Sequence, residues 1–258
     1  MRESKRAALV MQKGGCGKTT TATNVAAELA LRGNKVLVID LDPQAHATIC
    51  LGIDEGAPES TVYDVMLGKE ALKDVIVHTE ISGLDIAPSN YDLVGAEMEL
   101  SQRIGREFII KKALENMDEY DYVILDTPPN LGVLTVNAIV ACPLLLIPLQ
   151  VEYLPMAGYA HLIKTLENID KYLDHRPKQR VLLTMYDART KDSEKVASDI
   201  RGYFKDIVLK TVIPRNVSLS RAPSHGKPIS LFSPSSSGAI AYKELVDELL
   251  AEEFSEAV

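Results

Sequence analysis

Short apolar runs of strand length alternate along this chain with longer stretches whose apolar residues recur at helical spacing. Ala7–Met11 reads as a buried strand, followed by a glycine-rich turn and a helix from Thr19 to Leu31. Gly33 and Asn34, which both tolerate the left-handed conformation, end that helix. Val36–Ile39 is a second strand, Ser60-Thr61 caps a short helix through Leu67, and Leu84–Ala87 is another short strand. Helices are expected at Leu93–Ser101 and Glu107–Met117, then strands at Tyr122–Leu125, Leu144–Leu149, Val181–Thr184 and Ile207–Ile213. Pro155–Leu173, Glu194–Phe204 and Ile240–Glu252 carry helical spacing. Continuous leucine and β-branched runs mean strands covered on both faces, as in a parallel sheet. The repeated strand–helix order predicts an α/β protein: a doubly wound, mostly parallel sheet sandwiched by helices, in one domain over residues 1–258.

Composition narrows this picture by exclusion. With 46% hydrophobic and 25% charged residues over 258 positions, the chain is globular rather than disordered or fibrous. The longest apolar run, Ala138–Leu149, has 12 residues and two prolines, too short to span a bilayer. Met1–Arg6 leads straight into an apolar segment without a small-residue cleavage site, so no secretory signal is expected. Cys16, Cys50 and Cys142 are far apart and form no CxxC pair, which argues against a disulfide framework and for a cytoplasmic location. The five histidines, His46, His78, His161, His175 and His225, show no metal-ligand spacing. A net charge of −8 confines any nucleic-acid binding to a local patch.

The chemistry concentrates between the first strand and the first helix. The form G-x-x-x-x-G-K-[ST] does not fit there, because Met11-Gln12-Lys13 stand where its first glycine belongs. The form K-G-G-x-G-K-T-T fits at every position, as Lys13-Gly14-Gly15-Cys16-Gly17-Lys18-Thr19-Thr20. Glycines let successive backbone N–H groups curl around phosphate oxygens, and the helix N-terminus adds partial positive charge. Lys18 reaches the β- and γ-phosphates, and the Thr19 hydroxyl is placed for Mg²⁺. Cys16 is read as a small side chain tucked beneath the loop; its position at a helix N-terminus leaves an activated thiol as the other reading.

With Lys13, this loop resembles that of the deviant Walker A ATPases, the ParA/MinD superfamily of P-loop NTPases. The resemblance extends along the chain. Val38-Ile39-Asp40-Leu41-Asp42-Pro43-Gln44 is similar to the family's D-x-D-P-Q segment, and Ile124-Leu125-Asp126-Thr127-Pro128-Pro129 to its Walker B and switch II. Met185–Arg189, Ile213–Val217 and Ala222–Ile229 resemble segments of the small ParA, or Soj, branch. The resemblance implies a Mg²⁺-dependent ATPase that switches for chromosome or plasmid segregation. In it Lys13 crosses a homodimer interface to the partner's ATP, Asp42 orients the attacking water, and Asp40 and Asp126 support the Mg²⁺ shell, Asp126 through water. Pro214, Arg215 and Asn216, with Met185 nearby, are implied to face the adenine. Asp40 and Asp42, two apart on an extended segment, point the same way by spacing alone.

The partners implied by the family are a ParB-like adaptor or other activator with a basic N-terminal segment, and double-stranded DNA bound without sequence preference on the nucleoid. The candidate DNA contacts are Arg189, Lys195, Arg201, Arg221 and Lys227, with Lys191, Lys205 and Arg215 beside them. Soj-like tails carry arginines where this chain has Ser218, Ser235 and Ser237, so a ParA-like ATPase positioning a non-DNA cargo stays open. A nitrogenase-type iron protein is rejected, because Gly132-Val133-Leu134 lacks the cluster cysteines. A MinD-like membrane cycle is disfavoured: from Tyr242 to Val258, Lys243 faces Glu244, Asp247, Glu248, Glu252, Glu253 and Glu256, so an anionic bilayer would repel this end.

Overall fold

In the computed structural model, which describes residues 4–54, 56, 58–152 and 156–254, the alternation closes into one eight-stranded sheet. The chain runs β1 (Lys5–Leu9), α1 (Lys18–Leu31), β2 (Val36–Asp40), α2 (His46–Cys50), α3 (Val62–Leu67), β3 (Val77–His78), β4 (Leu84–Ala87) and α4 (Leu93–Glu99). It continues through α5 (Ile109–Ala113), β5 (Tyr122–Asp126), α6 (Val133–Ala141), β6 (Leu144–Gln150) and α7 (Met156–Leu173). It ends with β7 (Lys178–Tyr186), α8 (Lys191–Phe204), β8 (Val208–Pro214), α9 (Val217–Arg221), α10 (Ile229–Phe232) and α11 (Ser237–Glu252).

The strand order is β3-β4-β2-β5-β1-β6-β7-β8, and every pairing is parallel except β3 with β4. Because side chains alternate across a strand, each strand feeds two cores. Ala8, Leu37, Ile39, Val123, Leu125 and Leu145 meet α3 to α8 on one face. Ala7, Leu9, Val38, Ile124 and Leu146 meet α1 and α11 on the other. This is the doubly wound arrangement expected. Its parallel register brings the carboxyl ends of the central strands to one edge, with Asp40 directly beside Asp126 and Asp126 beside Leu9.

Several boundaries differ from the sequence reading. β1 stops at Leu9, and Val10 and Met11 are buried as the root of the following loop. α6 escaped the periodicity because nearly all its residues are buried, so it has no polar stripe to mark a helix. The helix expected over Glu107–Met117 is broken into 3₁₀ turns on either side of α5. α8 starts at Lys191 rather than Glu194, because the Thr190 hydroxyl accepts from the Ser193 N–H at 3.3 Å and caps it. Pro155, the expected start of α7, lies outside the described residues.

The two edges of the sheet are finished differently. β3 is two residues long. Beside β8, the Glu248 carboxylate of α11 accepts the backbone N–H groups of Lys210 at 2.7 Å and Thr211 at 2.9 Å.

Candidate functional site

The glycine-rich segment leaves β1 at the carboxyl edge and turns sharply into α1. Gly15 (φ +69°) and Gly17 (φ +97°) are left-handed, a conformation that L side chains resist and glycine adopts freely. The loop is braced from behind by the ends of two other strands. Gln150 Nε2 donates to the Gly15 carbonyl at 2.7 Å, and Thr184 Oγ1 donates to the Cys16 carbonyl at 2.9 Å. In a trans peptide the N–H points opposite to the C=O, so the N–H groups of Cys16 and Gly17 point away from these braces. Together with the N-terminus of α1 they form a cradle for an anion. Gln150 and Thr184 escaped the sequence reading. Their signal was a polar residue closing each of two apolar strands at this edge.

The two lysines of the loop differ sharply. Lys18 is buried, and its Nζ donates to the Lys13 carbonyl at 3.2 Å, inside the cradle. The Lys13 side chain is partly exposed at the rim, 3.8 Å from Glu152, which also accepts from Arg215 at 3.2 Å. Glu152, unread in the sequence, thus joins the phosphate loop to the segment after β8. Cys16 is buried, its thiol donates to the Lys13 carbonyl at 3.2 Å, and burial pushes the thiol up despite Lys18 nearby. That is the inert packing role, not the activated one.

Three carboxylates converge beside the loop. Asp40 is fully buried at the end of β2 and already accepts three donors: the Asp42 N–H at 3.1 Å, the Thr48 N–H at 2.9 Å and the Thr48 hydroxyl at 2.8 Å. Burial raises it to about 6, with the Thr48 bonds pulling the other way. Its oxygens are spent on holding the segment from Asp42 to Thr48 in place. Asp42 is buried at the start of that segment and accepts the Gln44 N–H at 3.0 Å.

Asp126 is the exception. It is fully buried, and neither of its oxygens has a hydrogen-bond partner. Burial raises it well above the usual carboxylate range, and Asp40 adds to this. The Thr19 hydroxyl and Lys18 oppose the rise, although Thr19 does not complete a hydrogen bond. An uncompensated buried carboxylate beside a threonine hydroxyl and a phosphate cradle fits a divalent cation. Among the described residues no three His, Cys, Asp or Glu side chains cluster as a metal cage. Mg²⁺ does not need one, since substrate phosphates and waters fill most of its shell.

Next to the cradle lies a cavity of about 420 Å³ whose walls include Gly17, Thr20, Met185, Pro214, Arg215 and Asn216. The four residues expected near a base therefore converge, although Met185 and Pro214 belong to different strands. Met185 holds φ +55°, unusual for a non-glycine residue, and its sulfur accepts from Gln150 Nε2 at 3.2 Å. The Asn216 side chain is occupied: Oδ1 accepts from the Ser218 and Leu219 N–H groups, capping α9, and Nδ2 donates to Ser237.

The candidate DNA contacts differ in how their side chains are held. Arg189 makes a two-pronged pair with Asp187 at 2.8 and 2.7 Å, which holds that carboxyl below its ordinary range. Arg201 donates to the carbonyls of Leu209 and Lys210, both at 3.0 Å. Lys191 and Lys195 are exposed on α8 among Asp192, Glu194 and Asp199, also exposed. Arg221, at the end of α9, and Lys227, before α10, are exposed.

Comparison with known proteins identifies relatives of the chain. A family model described as an AAA domain matches residues 4–179. The chain is 46% identical over 246 residues to the sporulation initiation inhibitor protein Soj of Bacillus subtilis, covering 95% of this chain and 97% of that protein. It is 44% identical over 250 residues to the chromosome partitioning protein ParA of Caulobacter vibrioides, covering 95% and 94%. Among solved structures, cobyrinic acid a,c-diamide synthase of Mycobacterium smegmatis, with a bound ATP analogue and magnesium, superimposes with a TM-score of 0.84. It shares 36% identity over 98% of this chain and 96% of that one. The chain shares more of its sequence with the two partitioning relatives than with the synthase.

Proposed function

Because this chain belongs to the Soj/ParA family of chromosome-partitioning ATPases, we propose that it is an ATP-driven switch for DNA segregation. ATP joins two copies face to face, and the pair binds duplex DNA without sequence preference on the nucleoid. Hydrolysis, stimulated by a ParB-like or other activator with a basic N-terminal segment, then separates the pair.

The residues supply this chemistry in parts. The backbone amides from Gly14 to Thr20 and Lys18 bind the phosphates, Lys18 exchanging its bond to the Lys13 carbonyl for phosphate oxygens. The cavity beside Met185 and the Pro214–Asn216 segment takes the base. Thr19 and Asp126 would hold Mg²⁺, which when bound neutralises charge on the β- and γ-phosphates. Asp42 orients the attacking water, and Asp40 positions Asp42 through its backbone N–H.

The observation that carries the switch is the division between the two lysines. Lys18 fills the cradle from within, while Lys13 stands at the rim, where its charge is of use to a phosphate on a facing copy. Lys13→Ala is therefore expected to keep nucleotide affinity and fail to form the ATP-dependent dimer in light scattering. An unchanged dimer in that variant overturns the crossing role. Asp42→Ala is expected to hold the ATP dimer together without turnover, and hydrolysis at the unsubstituted rate overturns its assignment.

For DNA, the supporting feature is that Arg221 is exposed between Ser220 and Pro223, which line the nucleotide cavity, with Lys227 exposed further along the same segment, so pairing two copies adds two weak basic sites. Fluorescence anisotropy on random-sequence duplex tests this, with binding expected only with ATP and falling steeply with salt. Equal binding with ATP, ADP and no nucleotide overturns it. No binding in any state favours a track other than DNA.

A further inference from the structure

α4 carries its apolar residues on two opposite faces. Leu93, Ala96 and Leu100 are buried against the core. At about 100° per residue, Val94 and Met98 stand on the opposite side of the helix, and Tyr91, one turn earlier, continues their line. These outward residues are 51%, 81% and 65% exposed, and Ile104 just beyond the helix is 100% exposed. A surface helix ordinarily puts polar residues there. The polar positions instead flank the stripe: exposed Glu97 on one side, exposed Asp92 and Glu99 on the other. On one flank Glu99 already accepts from the Tyr63 hydroxyl at 3.0 Å, with the Lys69 ammonium over the Tyr63 ring, while two nearby arginines are turned elsewhere. Arg103 donates to the Met66 carbonyl at 2.9 Å, and Arg106 pairs with Glu107 at 3.1 Å.

One flank reaches the nucleotide edge. A Cβ added at Gly132 would lie 1.8 Å from Glu97 Oε1, so the end of the flexible Glu97 side chain packs directly on this glycine. Gly132 caps the N-terminus of α6 and is the last residue of the segment that begins at Asp126. The exposed stripe and the loop carrying the unpaired carboxylate are thus one contact apart.

We propose that the outward face of α4 is the docking site for a short basic segment of another protein, with apolar residues on one side. The apolar side covers Tyr91, Val94 and Met98, and its cations meet Asp92, Glu97 and Glu99. Occupation bears on the Asp126–Gly132 loop through Glu97. A few side chains fall far short of the roughly 20–30 residues per side of a stable dimer, so a second copy of this chain is a poor occupant. The charge on both flanks selects the basic partner. This deepens the switch reading by giving it an input surface, but the surface stands or falls separately.

The probe is a short fluorescein-labelled peptide with leucines at helical spacing and lysines elsewhere, compared with a scrambled peptide of the same composition. The unsubstituted chain is expected to bind the patterned peptide better. A Val94→Asp/Met98→Asp double variant, whose sites are exposed and whose fold is checked by thermal melting, is expected to lose roughly tenfold or more in affinity. Glu97→Gln is expected to keep most of the binding and lose the peptide-induced change in hydrogen exchange at Asn130–Gly132. Equal binding of the two peptides, or binding unchanged in the double variant, overturns the site. Self-association of the nucleotide-free chain that the double variant abolishes also overturns it, in favour of a second copy. Light scattering with ATP on the unsubstituted chain tests the switch on its own.

Discussion

Two buried carboxylates stand at opposite edges of the same sheet, and they differ in what surrounds them. Glu253, following α11, has a side chain only 1% exposed at the edge where β7 begins. It is paired with Arg180, and with Lys178 at 2.8 Å. Asp126, at the edge where β5 ends, is equally buried, has no hydrogen-bond partner, and meets only the opposite charge of Lys18 beside it. A buried charge is costly unless it is paired. The first site therefore ties the last helix to the sheet. The second withholds its stabilisation until something arrives to supply the missing charge. The fold is fastened at one edge and left unsatisfied at the other.

The largest expected effect breaks the fastened edge. Glu253→Ala leaves Arg180, itself only 15% exposed, without its main partner and should cost about 3 kcal/mol in urea unfolding. Nucleotide affinity of the folded fraction should not change. A loss below ~1 kcal/mol would mean that this carboxylate is no more than a surface ion pair.

Relieving the unsatisfied edge should have a smaller effect of opposite sign. Asp126→Asn removes the buried charge while keeping the shape, so the nucleotide-free protein should gain about 1–2 kcal/mol, roughly 2–8 °C in Tm. The extra stability that ATP and Mg²⁺ confer on the unsubstituted chain should disappear. The same comparison has a pH signature. Asp40 stands at about 6 in the folded chain against 3.8 ordinarily, and Asp126 is raised too. Between those values the folded chain binds more protons than the unfolded one. Stability without nucleotide should therefore fall as pH climbs from about 4 through about 6, and Asp126→Asn should flatten the slope. A Tm that rises over this window contradicts the assignment.

The smallest effect concerns thiols. Cys16, Cys50 and Cys142 are all buried, and burial raises each, Cys50 to about 12. None should react quickly with Ellman's reagent in the native state, and Cys16→Val should shift stability by no more than ~1 kcal/mol. Fast labelling at Cys16 would restore the activated reading.

What was legible in advance follows from the range of the interactions. The glycines and lysines of the phosphate loop lie within eight consecutive residues, so their spacing could be read directly. Asp40 and Asp126 were visible because each ends an apolar run. The braces of the loop were not, since Gln150 and Thr184 reach it from 135 and 168 residues away. Glu152 is a lone acidic residue until the fold sets it between Lys13 and Arg215. α6 was hidden for the opposite reason, being too uniformly apolar to show a period. The stripe on α4 looked like ordinary core spacing until the burial of Leu93, Ala96 and Leu100 showed which face was already taken.

The finish of the two outer strands governs how copies of this chain can join. An open strand edge is a template on which another chain can extend the sheet, the usual route to runaway aggregation. Here one end of the sheet is a two-residue strand, too short to template anything. At the other end the Glu248 carboxylate already takes the amides of Lys210 and Thr211. Both finishes disfavour growth by strand addition. That leaves the faces and loops of the molecule as the surfaces on which copies can associate without extending the sheet.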